Sequence, residues 1–235
     1  MILFCLPYAG GSGVFYSSWK KYLEPNIQVI PIELKGRGGR INEPFYNDIT
    51  EAVEDIISSL INYLGGNEYA IYGHSMGGLL AYELYYKMEK LNLKKPTHIF
   101  FSATNPPFER IKEKETQCLS NSELIEKVLA LGGTPKEVFE NSETSSIFLP
   151  IIKADFMLLE DFIFDPTREK INCGITLLNG LEDSIVSKEI SKWDTLVLNK
   201  FNSFLLDGNH FFIHTNAKKI TDIISESLKG GAYET

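Results

Sequence analysis

A chain of 235 residues, 43% hydrophobic and 23% charged, has the length and composition of one α/β domain with a well-buried core. Its net charge of −8 weighs against nucleic acid or an anionic membrane as the main partner. Three cysteines, Cys5, Cys118 and Cys173, are too few and odd in number for a disulfide framework, so the expected compartment is a reducing cytoplasm.

The chain opens on an apolar run, Ile2–Leu6, that reads as a buried strand. It is too short for a signal peptide and lacks a basic segment before it, and no stretch of the chain is long enough to span a bilayer. The loop that follows, Pro7-Tyr8-Ala9-Gly10-Gly11-Ser12-Gly13, is rich in glycine. It has neither the G-x-G-x-x-G spacing nor the G-K-[ST] ending of a phosphate cradle. Val14–Leu23 then reads as an amphipathic helix and Ile27–Ile32 as a strand. The next stretch, Glu33 to Arg40, reads as a flexible basic loop. There Arg37 and Arg40 either bind an anion or a partner or, more plainly, lie on a solvated surface.

Asp48 and Glu51 form a capping box. Ile49, Val53, Ile56, Ile57, Leu60, Ile61 and Leu64 follow at helical spacing until Gly65-Gly66 stops the helix. Tyr69 to Tyr72 reads as a strand buried on both faces, and an apolar-rich helix runs on to Met88. Between them stands Gly73-His74-Ser75-Met76-Gly77, the G-x-S-x-G of a nucleophile elbow. So tight a turn admits only glycine on either side, and leaves Ser75 at its tip with strained backbone. Taken alone, the pattern also fits an ordinary strand–turn–helix connection whose glycines serve packing.

His98–Ser102 reads as a strand, and the loop after it, 103–107, holds no carboxylate. From about 106 to 165 the strand–helix alternation gives way to helices. One is marked by Leu124, Val128 and Leu131 and ends at Gly132-Gly133-Thr134-Pro135; another runs from about Ser145 to Phe162. This insertion reads as a lid over a site, because pockets need apolar walls; the plainer reading is a helical subdomain that only covers the sheet. Strands resume at Gly174–Leu178 and Phe201–Leu206. A helix from about Asn216 to Leu228 leads to a tail, Gly230–Thr235, expected to fray. With no linker or internal repeat, residues 1–235 read as a single domain.

A serine hydroxyl is a poor nucleophile near neutral pH. It needs a neutral imidazole to take its proton, and a carboxylate to hold that imidazole in the right tautomer. Hydrolases with this elbow carry the three groups in the order Ser, acid, His, each in a loop after a strand. Ser75, Asp183 and His210 stand in that order. Of the four histidines, His74 lies inside the elbow, His98 begins a strand, and His214 follows an apolar run; only His210 comes directly after the last strand. Asp183 follows its strand by five residues; its neighbour Glu182 is the second choice, and Asp207 reads as a turn former. The N–H of Met76, at a helix N-terminus, and that of Ala9, in the first strand-to-helix loop, are the expected oxyanion donors.

Further motifs lie beside these: Leu6-Pro7-Tyr8-Ala9-Gly10-Gly11, Gly36-Arg37-Gly38, Leu131-Gly132-Gly133-Thr134-Pro135, Ala154-Asp155-Phe156, Gly180-Leu181-Glu182-Asp183 and Gly208-Asn209-His210-Phe211-Phe212. With the elbow they make the chain, from about Leu3 to Leu228, resemble the type II (external, editing) thioesterases of nonribosomal peptide and polyketide synthesis. The elbow and the histidine turn are shared by many hydrolases; the LGGTP and ADF pair is far more specific. Lys35 departs from the proline usual before Gly-Arg-Gly, which implies a less rigid loop, and the chain starts without the usual leader.

The resemblance implies an α/β-hydrolase fold: a mostly parallel central sheet flanked by helices, with a helical lid insertion. It implies a substrate held as a thioester on the phosphopantetheine arm of an acyl or peptidyl carrier protein, and neither a cofactor nor a metal ion of the enzyme's own. Other readings remain open on the residues alone: a general serine esterase, an acyl-CoA thioesterase, an acyltransferase, or a hydrolase-fold binding protein without catalysis. The last usually lacks a triad member, and here all three are present.

Overall fold

A computed structural model describes residues 1–109, 116 and 118–229. The tail expected to fray and residues 110–115 and 117 of the insertion lie outside the described residues. Six strands form one parallel sheet: β1 (Ile2–Leu6), β2 (Gln28–Pro31), β3 (Tyr69–His74), β4 (His98–Ser102), β5 (Gly174–Gly180) and β6 (Asn202–Leu206). Their spatial order is β2-β1-β3-β4-β5-β6. The chain therefore builds outward from β1 in one direction and then in the other. The direction reverses at β1 and β3, whose C-terminal ends meet where Leu6 pairs with Gly73. Parallel sheets bind ligands at the carboxyl ends of the strands beside such a reversal.

Because side chains alternate across a strand, the sheet divides its apolar residues between two cores. Ile2, Phe4, Leu6, Tyr69, Ile71, Ile99 and Phe101 face α1 (Ile49–Leu64) and α2 (Met76–Lys90). Leu3, Cys5, Ala70, Tyr72 and Phe100 face the other layer. That layer holds α6 (Ala217–Lys229), through Ile220, Ile223 and Ile224, and the helix Gly13–Lys21, through Tyr16 and Trp19. Burying each such side chain is worth roughly 1.5–3 kcal/mol before entropy is counted.

Two local expectations need correction. The helix after the first loop is a 3-10 helix, Gly13–Lys21, rather than an amphipathic α-helix. Its buried Tyr16 and Trp19 are three residues apart, which is one turn of that tighter helix. The Asp48 carboxylate caps α1 through the Glu51 N–H at 2.8 Å, but Glu51 does not return to Asp48. It bonds the Asn47 N–H at 2.9 Å and Lys35 Nζ at 3.0 Å.

The larger correction concerns the loop after β2, where Arg37 is buried, Arg40 is half-buried, and both are paired with carboxylates of the same chain. Arg37 is 3% exposed and forms a two-pronged ion pair with Asp155, both contacts 2.6 Å. Arg40 pairs with Asp55 at 2.7 Å and with Glu43 at 2.6 Å. Neither guanidinium is left over for an incoming anion, because carboxylates of the same chain already hold both.

Between β4 and β5 the described residues form α3 (Asn121–Ala130), α4 (Glu137–Glu140) and α5 (Ser142–Asp161). A full capping box, Ser120 with Glu123, starts α3, and Gly132 at φ 78° turns the chain after it. Among the described residues no helix is long and apolar enough to cross a membrane.

Candidate active site

Ser75 sits between β3 and α2 with φ 53° and ψ −111°. A non-glycine residue so placed costs on the order of 1–3 kcal/mol, and its surroundings must hold it there. They do so on both sides: the Ser75 N–H donates to the Ser102 carbonyl at 2.8 Å, and the Thr104 hydroxyl donates to the Ser75 carbonyl at 2.8 Å. The flanking glycines are required by space. A Cβ on Gly73 would overlap the Gly77 carbonyl, and one on Gly77 would overlap the Leu6 carbonyl of the adjoining strand.

The turn after β6, opened by Gly208 at φ 115°, brings His210 to this serine. Its Nε2 lies 3.0 Å from Ser75 Oγ and its Nδ1 2.8 Å from Asp183 Oδ2. The carboxylate can only accept, so Nδ1 carries the proton and Nε2 is free to accept from Ser75. Asp183 is 4% exposed, and its second oxygen accepts the N–H groups of Ile185 at 2.9 Å and Val186 at 3.3 Å. Burial works to raise the pKa of this carboxyl. The hydrogen bond and charge of His210, with those two N–H groups, outweigh it and hold the carboxyl below its usual value. Glu182 is exposed, and its N–H donates to the Gly208 carbonyl at 3.0 Å. Of the two acidic neighbours, it is Asp183 that meets the imidazole.

Met76 is the first residue of α2, so its N–H has no acceptor within the helix and lies at the positive end of the helix dipole. Ala9 lines the same cavity as Ser75 and His210. That cavity holds about 280 Å³ and is walled on the insertion side by Val128, Leu131, Ile152, Phe156 and Leu159. A larger hollow of about 680 Å³, lined by residues of the insertion between Asn121 and Lys153, contains none of the residues just described.

The remaining histidines have other partners. His98, at the start of β4, bonds Thr176 Oγ1 at 2.8 Å, and burial drives its pKa down to about 4. His214 stacks on Phe211 and approaches the Tyr8 hydroxyl at 3.4 Å, beside the site. His74 is buried behind the elbow, bonded to Ser102 Oγ and to the His210 carbonyl, each at 2.9 Å. Among the described residues no group of three or more His, Cys, Asp or Glu is placed to hold a metal ion.

Some of the site has no counterpart in the sequence reading. The Asn105 side chain clamps the loop of Asp183, donating to the Ile185 carbonyl at 2.9 Å and accepting the Ser187 N–H at 2.7 Å. Asp155 accepts the Gly10 N–H at 2.7 Å, so this donor of the glycine-rich loop is already taken by a carboxylate of the same chain. The ADF motif marked Asp155 without saying what it touches.

The family model of the thioesterase domain matches residues 1–228. This chain belongs to the thioesterase family. The thioesterase is 32% identical over 233 residues to linear gramicidin dehydrogenase LgrE of Brevibacillus parabrevis, covering 97% of this chain and 88% of LgrE. It is 31% identical over 214 residues to the medium-chain S-acyl fatty acid synthase thioesterase of Rattus norvegicus, covering 90% and 81%. Among solved structures, ClbQ from the colibactin NRPS/PKS pathway superposes with a TM-score of 0.92 at 33% identity, covering 98% of this chain and 97% of ClbQ. The expected fold is the one found: a parallel sheet flanked by helices, shared with α/β-hydrolase thioesterases. By family the thioesterase is a thioester hydrolase.

Proposed function

We propose that this thioesterase removes acyl groups from the phosphopantetheine thioester of carrier proteins in nonribosomal peptide or polyketide synthesis, clearing carriers that are misprimed or stalled. Ser75 Oγ attacks the thioester carbonyl carbon while His210 Nε2 takes its proton, and Asp183 steadies the imidazolium. The N–H groups of Met76 and Ala9 receive the developing oxyanion, a contribution on the order of 10²–10³ in rate for each donor. The tetrahedral intermediate collapses with loss of the pantetheine thiolate, which takes up the proton from His210. A water then gives its proton to His210 as it attacks the acyl-serine carbonyl, and the second intermediate collapses to the free acid while His210 returns that proton to Ser75 Oγ.

The observation that carries this reading is the pair of contacts at His210, 3.0 Å to Ser75 Oγ and 2.8 Å to Asp183, facing a cavity with largely apolar walls that Lys127, Thr134 and Glu160 also line. The carrier-bound substrate is supported by the likeness to ClbQ from an NRPS/PKS pathway and to a fatty acid synthase thioesterase. We take residues 1–235 as one domain and helices α3 to α5 as its lid, since Val128, Ile152 and Leu159 from them wall the cavity. The free cysteines Cys5, Cys118 and Cys173 suit work in the cytoplasm.

Intact-mass analysis of acyl-loaded carrier proteins tests the proposal. The native enzyme should strip the acyl mass and leave the phosphopantetheine in place, and Ser75→Ala should leave the carrier loaded. Carriers that stay loaded with the native enzyme, across acetyl, aminoacyl and longer acyl groups, would contradict it.

A further inference from the structure

We propose that Asp155 and Arg37 are positioning residues for the oxyanion hole, through which helix α5 fixes the loop that carries the Ala9 N–H. This inference rests on the reading of Ala9 as an oxyanion donor. The loop is a tight turn: the Gly11 N–H donates to the Tyr8 carbonyl at 2.8 Å, and Gly10 adopts φ 76°, as the third residue of a type II turn requires. The Ala9 N–H belongs to the Tyr8–Ala9 peptide, so its direction follows the placement of the whole turn. Asp155 holds that turn from the next peptide: its Oδ2 accepts the Gly10 N–H at 2.7 Å.

Arg37 completes the clamp. It holds both oxygens of Asp155 at 2.6 Å and donates from the same Nη1 to the Gly11 carbonyl at 3.1 Å. The pair is shielded from water, with Asp155 1% and Arg37 3% exposed, so solvent does not compete for these bonds. One turn before Asp155 on the same helix, Ile152 lies so close that a Cβ on Gly10 would stand 2.7 Å from its Cγ1. Ile152 and Phe156 also wall the cavity. One helix thus shapes the acyl pocket and sets the loop of an oxyanion donor.

Removing one partner would strand a buried charge and endanger the fold, so the informative variant replaces both with apolar residues of similar volume, Arg37→Met with Asp155→Leu. Such exchanges preserve stability in other proteins, while here the tether on the Gly10 N–H is lost. Two readouts are needed. One is kcat and KM for a small soluble thioester. The other is the affinity ratio between a trifluoromethyl ketone, whose serine adduct places an oxyanion in the hole, and the matching unreactive thioether.

The expected result is a folded protein whose kcat falls by about 10- to 1,000-fold with little change in KM, and whose ketone-to-thioether ratio falls comparably. Arg40→Gln, which breaks an ion pair on the same loop to α1 instead of α5, should leave both readouts near native. A double variant with native kcat, or one with reduced kcat but an unchanged ketone-to-thioether ratio, overturns the inference. If the double variant does not fold, Arg37→Lys keeps the charge without the two-pronged grip. It should lower kcat and the ratio together, and native values for both would be equally fatal. Ser75→Ala in the same assay separates the two levels. Activity there would sink the catalytic reading itself, whereas an inactive Ser75→Ala beside a fully active double variant would sink only the role of the pair.

Discussion

His74 Nε2 donates to the backbone carbonyl of His210 at 2.9 Å, so the residue before the serine holds the residue that bonds it. A carbonyl only accepts, which puts the His74 proton on Nε2 and leaves Nδ1 to accept from the Ser102 hydroxyl at 2.9 Å. Ser102 in turn takes the Tyr72 hydroxyl at 2.8 Å, which completes a directed chain from Tyr72 to His210. Burial, and then the charge of His210, push the His74 pKa well below 6.5. ¹⁵N chemical shifts of His74 should therefore report the neutral Nε2–H form from pH 8 down to 5. His74→Ala would leave Ser102 and the His210 carbonyl without this partner, at about 1–3 kcal/mol per buried group, read by urea denaturation. A ring that titrates near 6.5 would contradict this account.

Substitutions within the triad should behave as a unit. Ser75→Ala and His210→Ala should each abolish nearly all turnover of a soluble thioester while leaving a folded protein, and the double variant should be no worse than either. Asp183→Asn should lower kcat by on the order of 10⁴, because the imidazole loses the partner that sets its tautomer. Glu182→Gln should change little, since Glu182 is exposed and its N–H, which the substitution keeps, makes its bond to Gly208. The reverse outcome for these two acidic residues would move the role to Glu182.

Much of this was legible from local signals. Ile2–Leu6 and His98–Ser102 read as strands because parallel strands are apolar on both faces, and Gly73 and Gly77 marked a turn with no room for a Cβ. The order Ser75, Asp183, His210 follows from chain order alone. Arg37 misled because its partner lies 118 residues away on α5: a cation in a glycine-rich loop looks solvated until the fold delivers a carboxylate. Glu51 abandoned the capping box for a similar reason, since Lys35 and Asn47 reach its carboxylate in the folded chain. The clamps by Asn105 and Asp155 had no local pattern at all. Each joins segments that only the sheet order brings together.

Acid should weaken the fold through its buried histidines. Burial holds His98 down to about 4 and also lowers His74 and His214. Below pH 6.5 the unfolded chain binds protons at these sites that the folded chain refuses, so stability is full above that value and falls as pH drops towards the lowered values. For His98 the slope approaches about 1.4 kcal/mol per pH unit between 6.5 and 4. Asp183, held below its ordinary value, contributes stability that is lost only at more acid pH. Urea midpoints from pH 8 to 4 should show the decline, and His98→Asn should make it shallower. A profile level from pH 7 to 5 would contradict the buried neutral histidines.

The cavity should set which acyl groups are accepted. Leu131→Phe adds a ring to a wall of a space of about 280 Å³ that also holds Ser75 and His210. The kcat/KM for an octanoyl thioester should fall by roughly tenfold or more relative to acetyl, while acetyl itself changes little. Equal loss on both chain lengths would mean that the wall supports the fold and does not select the acyl group.

The central claim, hydrolysis of acyl groups presented by a carrier protein, is tested most directly by comparing kcat/KM for one acyl group on two thiols. The same acyl is offered on the phosphopantetheine of a carrier protein and on coenzyme A, with Ser75→Ala as the blank. The thiol and the chemistry at Ser75, Asp183 and His210 are then the same, and only the protein around the arm differs. A preference for the carrier of about tenfold or more, abolished in both cases by Ser75→Ala, is the predicted result. Equal or faster turnover of the coenzyme A thioester would contradict it and make this an acyl-CoA thioesterase.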